Sequence, residues 1–159
     1  MNELLKLLRI NARESVENLA KMLDRTPEDV RAEIADLERR GIIRGYQAIL
    51  NEDATAEEGV TAIIEVKVMP EREGGFNHVA MRISRFPEVV SAHLVSGDAD
   101  LLLFVEGRTL RDVASFVSEK LAPLPGVTAT STSFLLKTYK KHGVLMETPD
   151  EHERIQVSP

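Results

Sequence analysis

The chain is 159 residues long, enough for one ordinary domain or two small ones. Its 43% hydrophobic content excludes wholesale disorder, its lack of cysteine excludes disulfides and thiol chemistry, and its net charge of −6 argues against a generic polyanion binder. No apolar run approaches the roughly 20 residues of a membrane helix and no signal-peptide pattern opens the chain, so the expectation is a cytoplasmic protein without a membrane partner.

Residues 1–50 hold nine Lys/Arg and nine Asp/Glu, so the whole charge deficit falls on residues 51–159. Leu4, Leu5, Leu8, Leu7 and Ile10 give an apolar stripe that predicts a first helix over 2–11. Ser15 is a candidate N-cap for a second helix, with Leu19, Ala20 and Leu23 on one face. Asp24-Arg25 forms the turn. Thr26 caps a third helix, Pro27 suits its first position, and Glu28 and Asp29 favour the positive end of its dipole. Val30, Ile34 and Leu37 supply its buried stripe, and Gly41 stops it. Ile42–Leu50 reads as a β-like segment, a candidate wing or connector strand.

The span from Ser15 to Gly41 has the shape of a helix-turn-helix, whose second helix enters the major groove of DNA. The candidate contacts are Arg25, Thr26, Glu28, Asp29, Arg31, Arg39, Arg40 and Arg44. Carboxylates can accept from cytosine N4 but repel phosphates, so the arginines must supply the attraction. The same pattern also fits a three-helix packing module that touches no DNA.

Residues 51–59 (NEDATAEEG) are acidic and aperiodic, a linker. Beyond them the expected order is βαββαβ: a strand at Val60–Val68 stopped by Met69-Pro70, a helix over Glu73–Arg85 with Val79, Ile83 and Phe86 inward, and a strand at Val89–Val95. A turn at Ser96–Asp100 follows, then a strand at Leu101–Glu106, a helix at Leu110–Leu121, and a last strand at Val127–Thr138. Val79-Ala80 with Phe86-Pro87-Glu88-Val89 is echoed by Val113-Ala114 with Leu124-Pro125-Gly126-Val127, spaced 10 and 14 residues. Two βαβ copies make a ferredoxin-like sandwich over residues 60–140, with both helices on one face. Leu101–Val105 and Phe134–Leu136 are apolar on both sides, so the second face needs a cover: a twin sheet in a dimer, or else the N-terminal domain or the tail. Residues 141–159 are expected to be a tail, polar and loosely ordered from 143 on.

No acid–base pair, nucleophile or metal cluster stands in a catalytic setting. The histidines at 78, 93, 142 and 152 lack ligand spacing, and Gly74-Gly75 is a loop rather than a phosphate cradle, so no metal, cofactor or enzymatic activity is expected. Asp98 and Asp100 fit either an ordinary hairpin turn or a contact to the ammonium of a small ligand at a subunit seam. Thr128, Thr130, Ser131, Thr132 and Ser133 are good strand formers, or a hydroxyl row for a zwitterion's carboxylate.

LAKMLDRTPEDVRAEIADLERRGIIRGYQAILN, then SGDADLLLFVEG, then GVTATSTSFLLK, in that order and spacing, resemble the leucine-responsive regulator/asparagine regulator (Lrp/AsnC) family from Leu4 to about Lys140. The resemblance implies an α+β fold: an N-terminal helix-turn-helix (winged-helix-like) domain and a C-terminal βαββαβ effector-sensing domain. It implies a regulator of transcription that binds double-stranded DNA, and dimers that assemble further, for instance to an octamer. It implies control by a small effector, commonly an amino acid, at the seam between dimers. Asp100 matches the family's acidic position in the turn and is the expected ammonium contact, with Ser96, Gly97, Asp98, Thr130 and Thr132 around it. Two positions depart from the family: the usual turn glycine is Asp24, and the frequent aromatic is Ala99. The alternative function is a ligand-sensing or protein-interaction module that does not bind DNA itself.

Overall fold

A computed structural model of the chain describes residues 2–55, 59–69 and 75–147. It divides into two compact units, Met1–Leu50 and Asn51–Pro159.

The first unit is built from caps and one small core. Asn2 Oδ1 accepts from Leu4 N (2.9 Å) to open α1 (Glu3–Ile10). Ser15 Oγ accepts from Asn18 N (3.1 Å) to open α2 (Val16–Leu23), and Thr26 Oγ1 accepts from Asp29 N (3.2 Å) to open α3 (Pro27–Arg39). Each bond satisfies one of the amides that a helix start leaves unpaired. Leu4, Leu8, Leu19, Ala20, Val30 and Leu37 are buried together. Ile10 departs from the expected stripe; it ends α1 and is 84% exposed.

Helices α2 and α3 stop in the same way. Asp24 has φ +52 and Gly41 has φ +66. Past each, an amide reaches back five residues: Arg25 N donates to the Ala20 carbonyl and Ile42 N to the Leu37 carbonyl, both at 2.9 Å. This is the Schellman closure. Aspartate visits the left-handed region more readily than most residues, so Asp24 does the work of the missing glycine at a cost of roughly 1 kcal/mol. Residues 44–50 carry no helix or strand, so the predicted wing or connector strand at Ile42–Leu50 does not form within this chain. A β-like run becomes a strand only when a neighbour takes its backbone groups, and among the described residues none does.

The second unit is the expected sandwich. Strands β1 (Val60–Val68), β2 (Val89–Leu94), β3 (Leu101–Gly107) and β4 (Val127–Phe134) form one sheet in the order β2-β3-β1-β4, every pair antiparallel. Helix α4 (Asn77–Ile83) and helix α5 (Leu110–Ser115) lie against it. Ile64, Val66, Leu101 and Leu103 face the helices and are fully buried with Val79, Ile83, Val113 and Leu121.

The internal repeat is visible as matched hydrogen bonds. Phe86 N donates to Ile83 O and Leu124 N to Leu121 O, both at 3.1 Å; Val89 N donates to Phe86 O and Val127 N to Leu124 O, both at 3.0 Å. Phe86 meets Phe116 edge to face at 5.5 Å, joining the copies. The extra residues of the second copy lengthen its helix. After α5 the chain continues as a π-helix, Phe116–Leu121, with Ala122 N bonded to Val117 O at 2.8 Å. The wider i→i+5 turn leaves both Phe116 and Leu121 in the core.

Three boundaries differ from expectation. Helix α4 begins at Asn77 rather than Glu73; Pro70, Glu73 and Gly74 lie outside the described residues. Strand β4 ends at Phe134, although Leu135 N still donates to Thr61 O (2.9 Å). The tail opens with a small hairpin, β5 (Lys140–Lys141) paired with β6 (Val144–Leu145); His152 and the rest of 148–159 lie outside the described residues. The acidic segment at 51–55 is tied to that hairpin: Asn51 Nδ2 donates to Met146 O (2.9 Å), and Glu52 pairs with Lys141 (2.5 Å).

Candidate nucleic-acid interface and ligand pocket

Helical periodicity sets the outward face of α3. With Val30, Ile34 and Leu37 turned inward, Glu28, Ala32, Ala35 and Arg39 lie opposite. The acidic character of the helix is largely spent inside the unit. Glu33 accepts from Asn2 and Arg25, which hold its carboxyl below the usual glutamate range. Asp36 accepts from Arg40 (3.2 Å) and Arg39, and both hold it low. Asp29 Oδ2 accepts from Thr26 Oγ1 (2.8 Å), and Glu38 accepts from Tyr46 Oη (2.9 Å). Glu28 alone among the carboxylates of α3 has no hydrogen-bond or ion-pair partner among the described residues, and it is exposed in the first turn.

The arginines are engaged as well. Arg25 pairs with Glu33, Arg31 with Glu17 (3.6 Å), and Arg39 and Arg40 with Asp36. Arg44 folds over Gly41. Exposed pairs of this kind are worth about 0–1 kcal/mol, so a phosphate can displace the carboxylate at little cost. The structure therefore gives Thr26 and Asp29 to the cap. Arg31, Arg39 and Glu28 are left exposed on α3 outside the cap. Replacing Glu28 by lysine is expected to raise affinity for an unrelated duplex about tenfold near 0.1 M salt, because one added phosphate contact steepens the salt slope by ~0.9. Titrations across salt concentrations check this. An unchanged slope would place Glu28 away from the backbone.

In the second unit the Ser96–Asp100 turn sits at the β3 end of the sheet, where β1 finishes. Asp100 clamps the two strands. Its amide donates to Val66 O (3.1 Å), its carbonyl accepts from Val95 N (2.9 Å), and its Oδ2 accepts from Val68 N (2.9 Å). Asp100, expected at a ligand's ammonium, is thus committed to backbone. Asp98 is the exposed carboxylate of the turn.

A cavity of about 110 Å³ opens beside that turn. Glu65 and Lys67 enter it from β1, on the face turned away from the helices, because Ile64, Val66 and Val68 between and beyond them are buried. Ser131 and Ala129 stand opposite them on β4 in register, and Asp98, Ala99 and Thr130 complete the rim. Ser96, Gly97 and Thr132 do not line it; Thr132 stands opposite Ile64 on the helix-bearing face. Sequence reading missed Glu65 and Lys67, while Ser131 stood in its hydroxyl row. The available signal was two charges spaced by two within an otherwise apolar strand.

The sheet face around the cavity is mixed rather than wholly apolar. Leu102 and Phe104 lie on it half-buried, Phe104 in edge contact with His93 at 6.3 Å, beside the charges of Glu65 and Lys67. The more exposed apolar groups lie along the chain after β4, with Leu136 at 95% and Tyr139 at 66% exposure. A larger cavity of about 410 Å³ lies at the opposite end of the sheet, walled by Thr55, Thr61, Arg108 and Leu136, and none of the predicted ligand residues reaches it. Among the described residues no group of His, Asp or Glu is placed to hold a metal, and no helix is long and apolar enough to cross a membrane.

Comparison with known proteins places this architecture. Residues 61–145 match the Lrp/AsnC ligand binding domain. An uncharacterized HTH-type transcriptional regulator of Bacillus subtilis, YugG, is 44% identical over 99% of the chain and 95% of its own length. The leucine-responsive regulatory protein of Haemophilus influenzae is 27% identical over 91% of the chain and 86% of its own length. A transcriptional regulator of Neisseria meningitidis, solved as a complex with L-methionine, superposes with a TM-score of 0.68 at 25% identity, covering 96% of this chain and 98% of that one. The chain belongs to the Lrp/AsnC family of HTH-type transcriptional regulators.

Proposed function

We propose that the chain is a cytoplasmic, non-enzymatic regulator that binds double-stranded DNA through paired helix-turn-helix units, and that a free amino acid in the cavity at the Ser96–Asp100 turn tunes its assembly or its DNA binding. The observation that carries this reading is the cavity itself, rimmed by a carboxylate and a lysine, in the domain that matches a ligand-binding family. A zwitterion needs one anion for its ammonium and one cation for its carboxylate. Asp98 and Lys67 supply them. At roughly 10–15 Å³ per water-sized group, the space suits a free amino acid better than a nucleotide. Half-buried Leu102 and Phe104 and exposed Leu136 support a dimer, or a higher oligomer such as an octamer, as the binding form.

A second reading, a sensing module that leaves DNA alone, is favoured by the ion-paired arginines of α3. The small worth of such pairs weighs against it.

The two aspartates separate in an experiment. Asp98→Ala is expected to abolish amino-acid binding in calorimetry with the melting temperature unchanged. Asp100→Ala removes the acceptor of Val68 N and is expected to cost about 1.5–3 kcal/mol of stability. The reverse pattern, with Asp100→Ala silent in melting and Asp98→Ala silent in binding, contradicts the assignment.

A further inference from the structure

We infer that the cavity at the Ser96–Asp100 turn selects an amino acid with a cationic side chain, of the lysine or arginine type. This rests on the reading that the cavity holds an amino acid. Charge balance in the cavity favours this class. Glu65, Lys67 and Asp98 all line the space, and among the described residues none of the three side chains has a hydrogen-bond or ion-pair partner. They carry two negative charges and one positive. The backbone of any amino acid is itself neutral overall, one ammonium and one carboxylate. Binding it therefore leaves the site with its surplus negative charge.

The register says where that surplus lies. Glu65 and Lys67 are two residues apart on one face of β1, about 7 Å along the strand. Lys67 is the nearer to the turn, because β1 meets Asp100 at Val66 and Val68. Lys67 and Asp98 thus sit together at the turn end and take the ligand's carboxylate and ammonium. Glu65 stands one pleat further down the sheet, opposite Ser131, where a side chain extending from the turn arrives. Ala99 and Ala129 are small and leave room on that line. An apolar side chain there would strip water from Glu65 and give it no partner. A lysine or arginine side chain supplies the missing charge and a donor, with the Ser131 hydroxyl beside it.

Calorimetry on the full-length protein tests this with L-lysine, L-arginine, L-methionine and L-leucine. Lysine or arginine is expected to bind at least tenfold tighter than methionine or leucine. Glu65→Gln is expected to erase that ratio by weakening lysine and arginine, whereas Asp98→Ala removes binding of all four. Methionine or leucine binding as tightly as lysine, in an Asp98-dependent way, overturns this inference and leaves the parent reading standing. A Glu65→Gln protein with the wild-type ratio also overturns it. No binding by any of the four, with the protein folded, overturns both.

Discussion

Leu19→Ala is expected to unfold the N-terminal unit and abolish DNA binding while the C-terminal unit keeps its own melting transition. Leu19 is fully buried at the centre of a cluster with Leu4, Leu8, Val30 and Leu37. Truncating a buried leucine to alanine costs about 2–5 kcal/mol, through lost transfer energy and the cavity left behind. At about 0.1 kcal/mol per residue, a unit spanning Met1–Leu50 holds on the order of 5 kcal/mol in total. The loss is of the same size as the stability. The larger sheet domain has a separate core around Ile64 and Leu103 that the substitution does not touch. Scanning calorimetry with duplex titration checks both halves. A variant that still binds duplex with the wild-type melting profile would show that the cluster is not what holds the unit together.

Gly126→Ala is the most damaging small substitution expected in the second unit. Gly126 has φ +92, a conformation that side chains with a Cβ rarely adopt. A Cβ there would lie 2.8 Å from Val79 Cγ2. Val79 is buried on α4 and β-branched, so it has little freedom to turn aside. The Gly126 carbonyl also accepts from Met69 N (2.7 Å), which fixes the backbone in place. Strain and overlap together come to roughly 3 kcal/mol or more. Chemical denaturation measures it, and a loss below about 1 kcal/mol contradicts the account. Val79→Ala in the same chain should recover the overlap but not the φ strain. The pair should therefore be less damaging than the sum of its singles.

The local signals in the sequence carried most of the fold. Ser15 and Thr26 cap where hydroxyls before an apolar stripe predict a cap, and the repeated Phe-Pro/Leu-Pro turns form the same hydrogen bonds in both halves. What escaped the sequence depends on partners distant along the chain. Ile42–Leu50 has strand-like composition, yet among the described residues no neighbouring strand takes it up. Asp98 and Asp100 cannot be told apart by type or spacing; only the approach of Val68, 32 residues earlier, commits Asp100 to structure and leaves Asp98 exposed. The acidity of α3 looked like repulsion of DNA. Its carboxylates Glu33 and Asp36 turned out to be held by Asn2, Arg25, Arg39 and Arg40 within the unit. That leaves Glu28, on the outward face of α3, as the carboxylate of this helix without a partner among the described residues.

On the proposed function, an amino acid in the cavity changes the affinity for DNA. The direct measurement is a titration of the promoter duplex of the protein's own operon at fixed salt, with and without a millimolar mixture of free amino acids, for wild type and Asp98→Ala. Ligand coupling of 1–3 kcal/mol predicts a shift in half-saturation of about fivefold or more for wild type. Asp98→Ala should bind the duplex and show no shift. Wild-type isotherms that coincide with and without amino acids, or binding no tighter than to an unrelated duplex, would contradict the account.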